Sequence, residues 1–100
     1  MNAATELLKK ILSEKYGTLT KIQMHADSFI SLGDTIEGSF EVMEFEDKEG
    51  NVKPYILCGR GFNTIRTSPV QQILGVKNDH IDIVITFRTV TSVYEARVRK

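Results

Sequence analysis

The residues best able to do chemistry gather in one stretch, Gly59-Arg60-Gly61-Phe62-Asn63-Thr64-Ile65-Arg66-Thr67-Ser68. Arginine offers a planar fork of N–H donors, and hydroxyls add short neutral ones. Together they suit phosphate oxygens. The glycines flanking Arg60 let the backbone turn sharply. Phe62 could stack a nucleobase beside Arg60 and Arg66, and so could Tyr94. Core packing is the more ordinary role of either ring, and Tyr94 falls with Ala96 and Val98 on an inward-facing alternation. A partial echo, Phe87-Arg88-Thr89-Val90-Thr91-Ser92, begins 25 positions after Phe62. Strand-favouring Thr, Val and Ile produce such echoes by composition alone. If the two segments instead lie side by side as strands, their hydroxyls share one surface with Arg66 and Arg88. The expected ligand-binding set is therefore Arg60, Phe62, Asn63, Thr64, Arg66, Thr67, Ser68 and Arg88.

Other chemistries find less support. The two histidines, His25 and His80, sit in His25-Ala26-Asp27 and Asp79-His80-Ile81-Asp82, which read as polar turns. Neither has the Cys/His spacing of a structural zinc site, so no metal is expected. Cys58 ends an apolar segment and reads as a small buried hydrophobe, since a nucleophilic thiolate needs a nearby histidine or helix N-terminus. Asp34, Glu37 and Glu41 could supply a carboxylate pair for acid–base work, but alternating exposed acids are common on strands. Gly59-Arg60-Gly61 lacks the Lys-Ser/Thr of a P-loop and opens no long helix. With no catalytic constellation, the expectation is a non-enzymatic protein without cofactor.

The chain has 100 residues, 41% apolar and 26% charged, as expected of one soluble domain spanning 1–100. It has no apolar run near ~18 residues, so no membrane-spanning helix is expected. Its first ten residues lack the basic-then-apolar order of an export signal. A single cysteine excludes an internal disulfide framework and fits a reducing compartment, which makes the cytoplasm the expected location. Thirteen basic residues balance thirteen acidic ones. Residues 1–50 carry five basic and ten acidic side chains, a net of −5, and residues 51–100 carry eight and three, a net of +5. Zero net charge favours self-association, so a homo-oligomer is expected. It argues against a duplex nucleic-acid binder, which needs a phosphate-neutralising surplus.

These residues must be positioned by a small α+β fold. Ala4, Leu7, Leu8, Ile11 and Leu12 recur at helical spacing and predict an amphipathic helix over 3–15, capped by Asn2 or Thr5 and ended by Gly17. The period then changes to two. Thr18–His25 is a strand with Ile22 and Met24 on one face and Lys21 and Gln23 on the other. Thr35–Phe45 is a longer strand whose alternation slips at Val42–Met43, as at a bulge. Asp47–Asn51 is a turn, and Val52–Cys58 the return strand, with Pro54 marking an edge or strand start. Phe62–Thr67 reads as a short strand. His80–Arg88 and Ser92–Arg99 form a hairpin after a turn at Lys77-Asn78-Asp79. Ser68–Gly75 is either a strand from Val70 or a short helix over Pro69–Leu74; flanking strands favour the former. The sum is a helix packed on a curved, mostly antiparallel sheet or small open barrel of five to six strands.

The stretch Thr67-Ser68-Pro69-Val70, followed by Thr91-Ser92-Val93-Tyr94-Glu95, resembles the tail of small, mostly uncharacterised proteins encoded by phages and prophages of Gram-positive bacteria. The resemblance covers about the last third of the chain and carries no fold or catalytic residue. It implies a context in which small proteins block a host factor or sequester a host signalling molecule. The leading expectation is a non-catalytic protein that sequesters a small phosphate-bearing ligand such as a nucleotide signal, possessing an anti-defence role in host cytoplasm. Two others stand beside it. One is an inhibitor or adaptor binding a host protein through the acidic stretch Glu41–Glu49. The other is a single-stranded nucleic-acid binder built as a small barrel.

Overall fold

The computed structural model describes residues 3–24 and 33–99. One helix, α1 (Ala3–Leu12), precedes seven strands: β1 (Tyr16–Met24), β2 (Thr35–Glu46), β3 (Val52–Gly59), β4 (Ile65–Arg66), β5 (Val70–Asn78), β6 (Asp82–Thr89) and β7 (Ser92–Arg99). They form a single sheet in the order β4-β3-β2-β1-β7-β6-β5, with every neighbouring pair antiparallel. The α+β class is as expected, with seven strands rather than five to six. Val70–Asn78 is a strand, so the short-helix alternative for Pro69–Leu74 is not realised.

The helix buries Thr5, Leu8, Ile11 and Leu12 against β2 and β3. These meet Leu19, Phe40, Ile56, Ile85, Phe87, Tyr94, Ala96 and Val98 on the inner face of the sheet. Phe87 and Tyr94 stack with ring centroids 5.6 Å apart. Lys9 reaches over to Glu44, Nζ to Oε1 2.8 Å. The helix ends three residues short of the expected 15. Glu14, not Gly17, takes the left-handed conformation after it (φ 62°), and its N–H donates to the Phe40 carbonyl at 3.0 Å. Thr5 lies inside the helix and is buried, so it is no cap; Asn2 lies outside the described residues. Gly17 has a different task. It sits in β1, where a Cβ would stand 2.0 Å from the Arg97 carbonyl oxygen of β7. Only glycine allows so close an approach of two strands.

The simple alternation expected for β1, with Lys21 and Gln23 on one face, does not hold through the strand. Leu19 and Lys21 point inward and Ile22 is 47% exposed. Leu19 stands opposite Ala96 and Lys21 opposite Tyr94, which fixes the inward phase, and a register shift follows between Lys21 and Gln23. The Lys21 ammonium lies 5.7 Å from the centroid of the Tyr94 ring. Burial pushes its pKa down, with Asp34 acting in the opposite direction. His25 lies outside the described residues, as does the reading of His25-Ala26-Asp27 as a turn.

No bulge occurs at Val42–Met43. The β2–β3 register runs unbroken from Ser39–Gly59 to Glu46–Val52. Both faces look apolar there because Val42 enters the core while Met43 and Phe45 lie exposed on the outer side. The turn that follows is as expected: Asp47 Oδ1 accepts from the N–H groups of Glu49 and Asn51, both at 2.9 Å. Those donors hold its carboxyl below the usual carboxylate range.

The two ends of the sheet differ. At one, β4 is two residues long, Pro54 offers no N–H, and Thr67 occupies the free side of Ile56. Thr67 N–H donates to the Ile56 carbonyl at 2.9 Å and Ile56 N–H donates to Thr67 Oγ1 at 3.1 Å. At the other, β5 has no strand hydrogen-bonded to its outer side, though its start faces β3 across a cleft at Val70 and Gln71.

Candidate functional site

Phe62–Thr67 was expected as a strand, but the chain makes a single 3-10 turn at Gly61–Asn63 and only Ile65–Arg66 joins the sheet. The turn follows from the glycines. Gly61 has φ +52°, a left-handed conformation that most side chains disfavour. At Gly59 a Cβ would meet the Asn63 carbonyl oxygen at 2.3 Å and Thr64 Cα at 2.4 Å, so the loop closes tightly only over a glycine. Asn63 N–H donates to the Arg60 carbonyl at 2.9 Å, and Thr64 Oγ1 donates to the Gly61 carbonyl at 2.8 Å.

This closed loop pushes Phe62 out of the fold. Its ring is 107% exposed, beyond even the reference for a free residue. Core packing, the more ordinary expectation for this ring, is therefore overturned. Beneath the loop lies a cleft of about 470 Å³ lined by Thr35, Ile36, Glu37, Arg60, Phe62, Asn63, Thr64 and Ile65. Thr35 and Glu37 come from the outer face of β2.

Arg60 is held at the rim. Its guanidinium lies 5.2 Å from the centroid of the Tyr16 ring and donates from Nη2 to the Tyr16 hydroxyl. Tyr16 in turn donates to Glu37 Oε1 at 3.0 Å, and Arg60 Nη2 stands 3.9 Å from the same oxygen. All three side chains are substantially exposed. The contacts orient the guanidinium more than they stabilise the fold. These contacts engage Nη2, and a guanidinium carries five N–H donors over its three nitrogens.

Of the eight expected binding residues, four converge here: Arg60, Phe62, Asn63 and Thr64. The others do not. Arg66 lies over the Tyr55 ring, 5.6 Å from its centroid. Thr67 is buried and spends its hydroxyl on Ile56. Ser68 Oγ meets Thr91 Oγ1 at 3.3 Å. Arg88 donates to Gln72 Oε1 at 2.9 Å and borders a separate cleft with Lys53, Pro54 and Val70. The echoed segments are not paired strands: β4 lies beside β3, and β6 lies between β7 and β5. Their Ser68 and Thr91 ends meet through the two hydroxyls. Phe87, the counterpart of Phe62, is fully buried.

The chain matches no family model, no curated protein and no solved structure. Tyr16, Thr35 and Glu37 were missing from the expected set, since they reach the loop only through the β1–β2 and β2–β3 pairing. Of the acids Asp34, Glu37 and Glu41, Glu37 and Glu41 share the outer face of β2 four residues apart, about 13 Å along the backbone, and Glu37 accepts from the Tyr16 hydroxyl. Cys58 is buried, and burial pushes its thiol up to about 11, so it is not a poised nucleophile. Arg97 is neutralised by Asp82 at 3.1 Å, with Asp79 at 3.6 Å and Glu95 at 3.9 Å. Among the described residues no group of three His, Cys, Asp or Glu is placed to hold a metal ion, and no helix is long and apolar enough to cross a membrane.

Proposed function

We propose that this chain is a non-catalytic binding protein that captures a small phosphate-bearing ligand, a nucleotide, in the cleft under the Gly59–Ile65 loop. One observation carries the reading: Phe62 is wholly exposed on a glycine-closed turn beside an oriented arginine. A ring that packs on nothing in its own chain is open to stack on a base from outside it. A base stacks on Phe62, which is worth about 1–3 kcal/mol in comparable sites. Phosphate oxygens take the N–H groups of Arg60 not engaged by Tyr16. Glu37, an acceptor when ionised, takes a ribose hydroxyl or a base N–H and disfavours phosphate on its own side. Asn63 and Thr64 border the same space.

In this reading the protein is of phage type, works in the cytoplasm of the host and lowers the free concentration of a nucleotide signal. It works as a homo-oligomer. Isothermal titration against nucleoside mono-, di- and triphosphates, cyclic nucleotides and short single strands tests the ligand class. Binding of a nucleotide that falls between about 5-fold and 150-fold on Phe62→Ala supports it. Heats indistinguishable from dilution across the whole panel refute it.

A second reading has its own observation. On the outer face of β2 and β3, Met43 and Phe45 are exposed beside Tyr55 and Glu41. Such a patch suits a protein partner. It differs from the acidic face expected from Glu41–Glu49, because Glu44 turns to the helix and pairs with Lys9.

A further inference from the structure

The free edge of β5 is an interface in waiting, and we propose that it pairs antiparallel with β5 of a second copy. The inference is independent of the ligand reading. The opposite end of the sheet carries several features that stop strand addition: a two-residue edge strand, a proline, and Thr67 seated on Ile56. β5 has two register shifts, between Val70 and Gln72 and between Ile73 and Gly75, but none of those three features. It is nine residues long, Val70-Gln71-Gln72-Ile73-Leu74-Gly75-Val76-Lys77-Asn78, with one charged side chain and no proline. Among the described residues no strand is hydrogen-bonded to its outer edge, although its first residues, Val70 and Gln71, face Val52, Lys53 and Pro54 of β3 across a cleft.

Its pairing to β6 tells which way each side chain faces. Ile73 stands opposite Phe87 and Val76 opposite Ile85, both of which enter the core, so Ile73 and Val76 share the inner face. Gln72 stands opposite Arg88 and Lys77 opposite Val84, which places them on the outer face. A two-fold axis between Leu74 and Gly75 then gives a self-complementary register. Ile73 of each copy meets Val76 of the other on the inner face, and Gln72 meets Lys77 on the outer face. Leu74 falls opposite Gly75, which leaves room for it. No like charges face each other, and an amide oxygen faces each ammonium. The register shift between Ile73 and Gly75 bends the edge, and the two-fold repeats the bend at the matching place in the partner.

Helix α1 packs mainly on β2 and β3; it borders β5 at Val70 and Gln71, where Ala4 lines the same cleft, and leaves Leu74 and Val76 exposed. Leu74 at 48% and Val76 at 42% exposure are apolar surface that only another molecule can remove from water. The occupant must tolerate this short apolar strip flanked by neutral amides, and a chain of zero net charge does so without repelling itself. The stretch from Gln72 to Asn78 is about 23 Å long, a single short strand edge, which falls below the ~1,200 Å² of standard stable complexes. That size selects a weak, reversible dimer.

Sedimentation velocity of the full chain from about 1 to about 200 µM reads this directly. The mass is expected to rise to twice the monomer mass across the series. Val76→Lys sets two ammonium groups against Ile73 and weakens association at least about 10-fold. Far-ultraviolet circular dichroism shows whether that variant is folded. A cysteine experiment decides the register without relying on it. Gln72→Cys and Lys77→Cys chains, mixed and oxidised, cross-link to a dimer, whereas either alone does not. A monomer at every concentration overturns the proposal. So does a dimer that gives no cross-link in the mixture, since its interface lies elsewhere. So does a monomer that instead adds a foreign peptide strand at this edge.

Discussion

Phe62 and Phe87 occupy matching places in the two echoed segments, and replacing each with alanine should have opposite consequences. Phe87 is fully buried, stacks on Tyr94 at 5.6 Å and stands opposite Ile73. Removing a ring from such a site costs about 3–5 kcal/mol, the transfer term plus the cavity left behind. Phe62 is 107% exposed, so its removal uncovers nothing. Its expected effect on folding lies within about 0.5 kcal/mol of zero. Urea unfolding separates the two. With a slope of about 1.5 kcal/mol per molar for a chain this size, Phe87→Ala lowers the midpoint by about 2–3 M. Phe62→Ala moves it by about 0.3 M at most. In a heat scan, the same Phe87 change lowers Tm by more than about 12 °C. A midpoint lowered by more than about 1 M in Phe62→Ala would show that the ring is packed against the protein in solution. The exposed-ring argument, and with it the proposed ligand site, would then fall.

Two further predictions concern groups away from the cleft. The Cys58 thiol, with its pKa raised to about 11 by burial, is ionised to about one part in a thousand at pH 8. Its reaction with Ellman's reagent in the folded protein should run at least about 100-fold slower than in urea, and rapid labelling before unfolding would contradict its burial. Asp47 has its pKa lowered by the Asn51 and Glu49 N–H groups, and Asp79 by the His80 N–H. A carboxylate with a depressed folded pKa contributes stability that is full above its unfolded value near ~3.9 and is lost as pH falls through the folded one. Urea midpoints measured between about pH 5 and pH 2 should fall more steeply in the parent than in Asp47→Ala. Parallel curves would mean that the turn hydrogen bonds do not favour the ionised form.

The fold was legible where a local pattern and a local cause coincide. The helical spacing of Leu8, Ile11 and Leu12 and the turn chemistry of Asp47–Asn51 are decided within a few residues, and so is the alternation of Tyr94, Ala96 and Val98. Each appears where it was expected. Errors arose where pairing across the sheet overrode the local pattern. Lys21 faces inward because Leu19 opposite Ala96 fixes the phase of β1, and no hydropathy rule places a lysine there. Gly17 reads as a helix stop in one dimension. In three it is the only residue that fits under the Arg97 carbonyl.

The candidate site divides along the same line. Arg60, Phe62, Asn63 and Thr64 lie within five positions of one another, and the glycines around them already signalled a sharp turn. Their convergence is a property of one loop. Arg66, Thr67, Ser68 and Arg88 were grouped with them by residue type alone, and the sheet separates them. Alternation sends Arg66 over Tyr55, while the free edge of β3 claims the Thr67 hydroxyl. Tyr16 and Glu37 lie 44 and 23 positions from Arg60, and they join it because β2 lies between β1 and β3. Their contribution is to aim the arginine: Tyr16 lies under the guanidinium and Glu37 fixes the tyrosine hydroxyl. A loop supplies the contact groups here, and a sheet face supplies their orientation. The division follows from how each is built, because a loop can gather polar groups locally but has no rigid surface of its own on which to hold them.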